Sequence, residues 1–165
     1  MVEDKNTQKS EAKTGGRHLF ALLIGVLLLF AGGCTSFDHD WQKSARLQAT
    51  PDDIQGRWQG VWISEVNGHT DSLRCVVTKK PDGIYKARFL ARYHKVLSFG
   101  YTVPLKVDAT GNEFKFSGDA NLGWLKGGVY HYEGHAGLTN FFSTYRCKYD
   151  HGTFQMGRPE NTGNK

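Results

Sequence analysis

The sequence predicts an all-β domain, an antiparallel meander of about eight short strands closed as an up-and-down barrel. Three observations predict it. From Ile54 onward apolar and polar residues alternate in short runs, most clearly Tyr85, Ala87, Phe89, Ala91 and Tyr93 against Lys86, Arg88, Leu90, Arg92 and His94. Turn signals separate most of the runs: Asn67-Gly68, Pro81-Asp82-Gly83, Thr110-Gly111-Asn112 and Asp150-His151-Gly152. The connections are short, which favours pairing between sequential strands, and closure removes exposed edges.

Each strand follows from its own pattern. Residues 56–66 make the first, with Trp58 and Trp62 on one face and Gly60 between them. Residues 72–79 make the second, with Leu73, Cys75 and Val77 in phase. The third is the alternation from Tyr85 to Tyr93. Phe99, Tyr101, Val103, Leu105 and Val107 mark the fourth, and Phe114 and Phe116 the fifth. A glycine-rich loop around Trp124 leads to the last three, at 129–136, 140–148 and 153–156. Between Tyr93 and Phe99 neither Gly nor Pro marks a turn, so one long bent strand, giving seven in all, is the alternative. Pro104 cannot donate to a ladder, so it belongs at an edge or a bulge.

Ahead of the strands stands an address. Lys13, Arg17 and His18 precede the apolar block 19–30, and Ala31, Gly32, Gly33 and Cys34 follow it. This is the order of a secretory signal, and fifteen apolar and small residues fall short of the roughly 20 that a membrane span needs. The ending Gly32-Gly33-Cys34 resembles the lipobox of bacterial lipoproteins, with Ala31 where that family most often has Leu. The resemblance implies a signal peptide over 1–33, a Cys34 that becomes the mature N-terminus and carries lipid, and an exported protein anchored in the membrane of the bacterial cell envelope. An ordinary cleaved signal and an uncleaved anchor are the alternatives, and all three put the rest of the chain outside the cytoplasm. Residues 34–53 read as a flexible tether with a short helical piece at 41–47, residues 54–159 as the barrel, and 160–165 as a disordered tail.

Gly56-x-Trp58 at the first strand resembles the Gly-x-Trp opening of lipocalins and avidin-type barrels. That resemblance implies a closed barrel whose mouth takes a small apolar molecule. The runs GDANLGWLKGGVYHYEGH and FFSTYRCKYDHGTFQMGRP resemble those of small uncharacterised bacterial lipoproteins, a likeness that brings no activity with it.

The chain carries 21 Lys/Arg against 16 Asp/Glu, net +5, and the part after residue 33 keeps a mild basic excess. That suits contact with an anionic envelope component, and an exported chain without an arginine-rich run is not read as a nucleic-acid binder. With Cys34 lipidated, Cys75 and Cys147 remain; an oxidising compartment permits a disulfide between them. They would fall on strands two and seven, which a plain meander keeps apart, so two buried thiols are the alternative.

The aromatic series is the main candidate site. Trp58, Trp62, Tyr85, Phe89, Tyr93, Phe99, Tyr101, Phe114 and Phe116 each keep one parity within their strands. Inward rings either line a pocket for a small apolar or sugar-like ligand or fill the core. Trp58 and Trp62 are both expected to be buried, with Trp58 closing one end. Gly60, with Ala87 and Ala91, leaves room for another ring, the opposite wall or a cavity. His131, Glu133 and His135 share one strand face and are ligand types for zinc, which makes a metal or hydrolytic site the weaker reading; His151 beside Asp150 would extend it. Lys79, Lys80, Lys86, Arg88, Arg92 and Lys95 form a basic cluster, read as a solvated strand face or a grip on anionic headgroups or a polyanion. Gly-x-Ser-x-Gly, His-Glu-x-x-His and the phosphate-binding loop are absent, so neither an enzyme nor a cofactor is predicted.

Overall fold

Main-chain hydrogen bonding runs unbroken around eight antiparallel strands: β1 (Gly56–Ser64), β2 (Thr70–Lys79), β3 (Tyr85–Tyr93), β4 (Leu97–Thr110), β5 (Glu113–Asn121), β6 (Val129–Ala136), β7 (Asn140–Arg146) and β8 (His151–Gly157). Each strand pairs with the next, and β8 returns to β1, so the meander closes as a barrel. The computed structural model describes residues 36–47, 52–124 and 127–160. The signal segment 1–33, Cys34 and the last five residues lie outside the described residues. Among the described residues no helix is long and apolar enough to cross a membrane.

Eight strands form rather than seven because the turn after β3 is built without glycine. His94 and Lys95 take positive φ, 51° and 61°, where β-strand side chains rarely sit. The neighbouring strand holds them there. Asp71 accepts the Lys95 N–H at 2.9 Å, and the Arg92 guanidinium donates to the Lys95 carbonyl at 3.1 Å. That backbone bond, with a second from Ser72, holds the Asp71 carboxyl below its ordinary range. The turn signal therefore sits more than twenty residues upstream, where local turn chemistry does not look.

Pro104 corrects the expectation of an edge, since a closed barrel has none. It pairs with Lys86 of β3, while the β4–β5 ladder begins only at Lys106. Proline thus stands beside an interruption of the β4–β5 ladder, where Gly118 of β5 comes so near that a Cβ would lie 2.3 Å from the Pro104 carbonyl oxygen, which fits the bulge expected for it. Gly60 is also reassigned. A Cβ there would lie 2.0 Å from the Gln155 carbonyl oxygen, so the glycine admits the backbone of β8 rather than a ring or the far wall. Gly152 does the same on the other side of the seam, where a Cβ would lie 1.9 Å from the Ile63 carbonyl oxygen. Both ends of the closing β1–β8 ladder depend on a residue without a side chain.

Inward positions form one core, from Trp58, Leu73 and Cys75 round to Phe141, Phe154 and Met156. A helix, α1 (residues 36–46), lies outside the barrel. Its Phe37 and Trp41 bury against Val76 of β2 and Leu90 of β3. The stretch read as a tether thus carries a helix docked on the wall, longer than the piece expected at 41–47. Phe37 and Trp41, four residues apart, fall on one helical face, so both reach the wall.

The meander gives the barrel two unlike ends. One holds the turns β2–β3, β4–β5 and β6–β7, the start of β1 and the end of β8. The other holds the β1–β2, β3–β4, β5–β6 and β7–β8 connections.

Candidate functional site

Rings from several strands meet across the barrel axis. Phe89 of β3 lies 5.2 Å from Tyr101 of β4, 6.3 Å from Tyr132 of β6 and 5.5 Å from Phe154 of β8, centroid to centroid. Nearer the start of β1, Phe141 contacts Trp58 at 5.5 Å and Phe116 at 4.7 Å. These are contact distances for aromatic pairs. At this level of the barrel, rings from opposite walls touch one another.

The expected parity holds along the aromatic series, with unequal burial. Trp58, Tyr85, Phe89, Phe114 and Phe116 are buried. Tyr101 and Phe99 are partly buried and stack on each other at 5.3 Å. Trp62 is half-buried rather than buried, and Tyr93 is exposed, because both sit where the wall meets solvent. The aromatic residues of β6 to β8 were legible by the same period-two pattern yet lie outside the predicted set: Tyr132, Phe141, Tyr145 and Phe154 belong to the same core cluster, and Tyr130 packs against it.

Trp58 does close one end, with a partner that no sequence signal indicates. Its indole N–H donates to the Ile54 carbonyl at 2.9 Å. The Arg158 guanidinium lies 3.8 Å above its ring. Arg158 donates in turn to the carbonyls of Gln55 at 2.8 Å, Asp53 at 3.0 Å and Leu138 at 3.1 Å. Burial pulls the guanidinium's pKa down, with Asp53 opposing, but an arginine remains charged. One cation thereby ties the lead-in to β1, the β6–β7 turn and the exit of β8.

At the other end phenols cap the core. Tyr145 donates to Asp150 at 3.0 Å, and Ser64 donates to the second oxygen of the same carboxylate at 2.7 Å. Tyr101 stacks on Tyr132 at 6.3 Å, and the Tyr130 hydroxyl and the Cys147 thiol both face Gly127. Burial pushes all four phenols above their ordinary value, so they stay neutral at physiological pH. Beside them Trp62, His69, Tyr93 and His94 pack ring on ring, His69 lying 5.0 Å from Trp62 and 4.7 Å from Tyr93. The Trp62 indole donates to the Arg92 carbonyl.

The outer wall carries the strongest charge pattern. Arg74 pairs with Asp38 at 3.1 Å and lies over the Phe37 and Trp41 rings. Arg88 pairs with Asp40 and donates to the Ser36 hydroxyl at 2.6 Å. Arg88 is therefore a docking residue for α1, not a member of a solvated face. Between α1 and the barrel lies a groove of about 820 Å³. Lys43, Arg46, Arg57, Lys79, Lys86, Arg88 and Arg158 line it, against the one carboxylate of Asp40.

Partial burial pushes the Asp40 carboxyl up, but Arg88, with help from His39, outweighs it and holds the carboxyl below the ordinary 3.8. A depressed carboxylate stabilises the docked helix above its unfolded value, and that contribution is lost as pH falls through the folded one. Acid titration below about pH 3.8 is thus expected to free α1 before the barrel melts. Trp41 emission, taken as the difference from Trp41→Phe, would shift red in the native chain, with no such acid step in Asp40→Asn.

The remaining candidates separate. His131, Glu133 and His135 do share an outward face, but His131 pairs with Asp119 across the ladder and His135 packs on Phe142. Among the described residues no three His, Cys, Asp or Glu side chains are grouped to hold a metal ion. His151 instead lies 3.8 Å from Glu65. Cys75 and Cys147 are both free, which corrects the disulfide alternative: Cys75 is sealed in the core on β2, and Cys147 follows β7, three strands away around the barrel, and is only half-buried. Burial pushes the Cys75 thiol well up, which keeps it protonated. Comparisons with protein-family models, with curated proteins and with solved structures find no match to this chain.

Proposed function

We propose that this chain is an exported lipoprotein, held to the bacterial envelope through lipid on Cys34, whose barrel works through its outer wall as an interaction module. The observation that carries the reading is the groove beside α1, where seven cationic side chains face one carboxylate. Such a cleft concentrates positive potential and selects a polyanion, such as a phosphate- or carboxylate-bearing envelope polymer. The rings that touch across the interior support this reading over a container for a small apolar or sugar-like ligand. The barrel's part is then to hold the groove rigid.

Charge reversal tests the groove. Lys43 and Lys86 are exposed, and the double variant Lys43→Glu, Lys86→Glu is expected to fold as the parent does. Its binding to inorganic polyphosphate should fall steeply, and the parent's binding should weaken with salt. Equal binding by both chains would remove the groove from the reading. Native mass spectrometry of protein taken from its own host tests the interior, where a co-purifying small molecule would restore the ligand-binding alternative. For the anchor, Cys34→Ala is expected to move the protein out of the membrane fraction or to block its processing. A variant processed and membrane-bound like the parent would rule out lipidation at Cys34.

A further inference from the structure

The two ends of the barrel differ in what they show to solvent. Of the nine exposed large hydrophobic residues among the described residues, seven lie at the end that carries the β1–β2, β3–β4, β5–β6 and β7–β8 connections. Every one of these connections contributes: Val66, then Val96 and Leu97, then Trp124, then Tyr149. Trp124 and Val96 are each 84% exposed. The turns of the opposite end carry Asp82, Asn112 and Thr139 at the corresponding places. Scattered apolar residues on a surface are ordinary, but a crown drawn from four separate loops at one end is not.

The course of α1 says what covers it. The end of the helix, Arg46 and Leu47, lies with Gln55, Arg158 and Pro159 at the clamped end. Near its beginning, Asp38 shares a groove with Arg74 and Leu90 at mid-wall and with Ser72, Arg92 and Ser98 nearer the crown, while Ser36, the first described residue, bonds Arg88 midway along β3. The chain therefore enters the described structure at Ser36, at mid-wall, two residues after Cys34. Two residues span at most about 7 Å, so a bilayer holding lipid on Cys34 would keep the barrel close against its surface, and the crown is the apolar end of the described barrel that can meet it.

We infer that the crown is laid against the lipid bilayer, with the hairpin tips in the headgroup layer. The inference rests on the membrane attachment proposed above. Tryptophan and tyrosine with aliphatic neighbours are the residues of the membrane–water interface. Lys95 and Lys148 stand beside Leu97 and Tyr149 on the tips, where long basic side chains keep their charge in the headgroups. The β3–β4 turn, held by Asp71 in positive φ, presents Val96 and Leu97 rigidly. This orientation turns the basic groove's far end, at Arg46 and Arg158, away from the membrane and toward a polymer or partner in the surrounding space.

The test uses mature protein from the host membrane, reconstituted into vesicles of phosphatidylethanolamine and phosphatidylglycerol. Trp124 emission is isolated as the difference between the native chain and Trp124→Phe, a change at an exposed loop position that leaves the circular dichroism unaltered. Lipids carrying a spin label near the headgroup should quench this emission, and aqueous iodide should quench it severalfold less than in the same protein in free solution. Leu97→Asp should weaken the lipid quenching. Trp124 open to iodide and untouched by the lipid label, on protein that stays with the vesicles, overturns the inference and leaves the anchor standing. Protection from iodide without lipid quenching also overturns it and shows a protein surface, such as a second copy, on the crown. Lipid quenching on protein whose N-terminal peptide has no lipid mass supports the crown and removes Cys34 as the anchor.

Discussion

Trp58→Ala is expected to cost about 3–5 kcal/mol, the usual penalty for truncating a fully buried ring. Trp58 is 0% exposed and touches Phe141. Its loss leaves the Ile54 carbonyl without the indole donor and strips the stacking surface from a half-buried guanidinium. Domains of this size hold only about 5–15 kcal/mol in all. The variant should therefore unfold at a much lower urea concentration, with the clamped end, residues 53–57 and 157–160, losing hydrogen-exchange protection first. Trp62→Ala should cost less, because Trp62 is half-buried and its N–H bonds a carbonyl at the barrel's mouth. Equal urea midpoints for the two variants would show that the Arg158 clamp adds nothing to the burial of Trp58.

Gly152→Val is expected to open the barrel at its seam. A Cβ at 152 would stand 1.9 Å from the Ile63 carbonyl oxygen and 2.9 Å from the Tyr145 hydroxyl. The first neighbour is backbone and cannot turn away, so β8 must move off β1. Overpacking alone costs about 1–3 kcal/mol, and loss of the β1–β8 ladder exposes two strand edges that pair with other chains. Light scattering should report oligomers as well as a lowered midpoint. Gly100→Ala is the control, since its nearest neighbour would be the Leu90 side chain at an ordinary 3.7 Å. A Gly152→Val barrel that stays monomeric with the stability of Gly100→Ala would show that the seam does not need glycine.

Where the information was local, it was legible in the sequence. Alternation from Tyr85 to Tyr93 places Tyr85, Ala87 and Phe89 inward, because successive side chains on a strand must point to opposite faces. Asn67-Gly68 and Pro81-Asp82-Gly83 mark turns because those residues carry the required backbone angles in themselves. The order of the strands followed from short connections.

Where two distant segments meet, the sequence was silent. The His94-Lys95 turn depends on Asp71, and Trp58 depends on Arg158, a hundred residues later; neither pairing has a spacing to read. Gly60 announced a close approach but not its partner, which turned out to be the backbone of β8. The helix at 36–46 looked like tether because its two aromatic residues have no core of their own. They become core only when Val76 and Leu90 on the outer face of β2 and β3 lie beside them. Whether inward rings line a pocket or fill it was likewise beyond the sequence, since parity sets the direction of each ring and not the width of the space they share. Strand order, strand parity and turn chemistry are properties of neighbours along the chain, and the sequence determined them. The closing seam, the cation over Trp58, the basic groove and the apolar crown are sums over residues brought together from many strands, and only the closed barrel decided them.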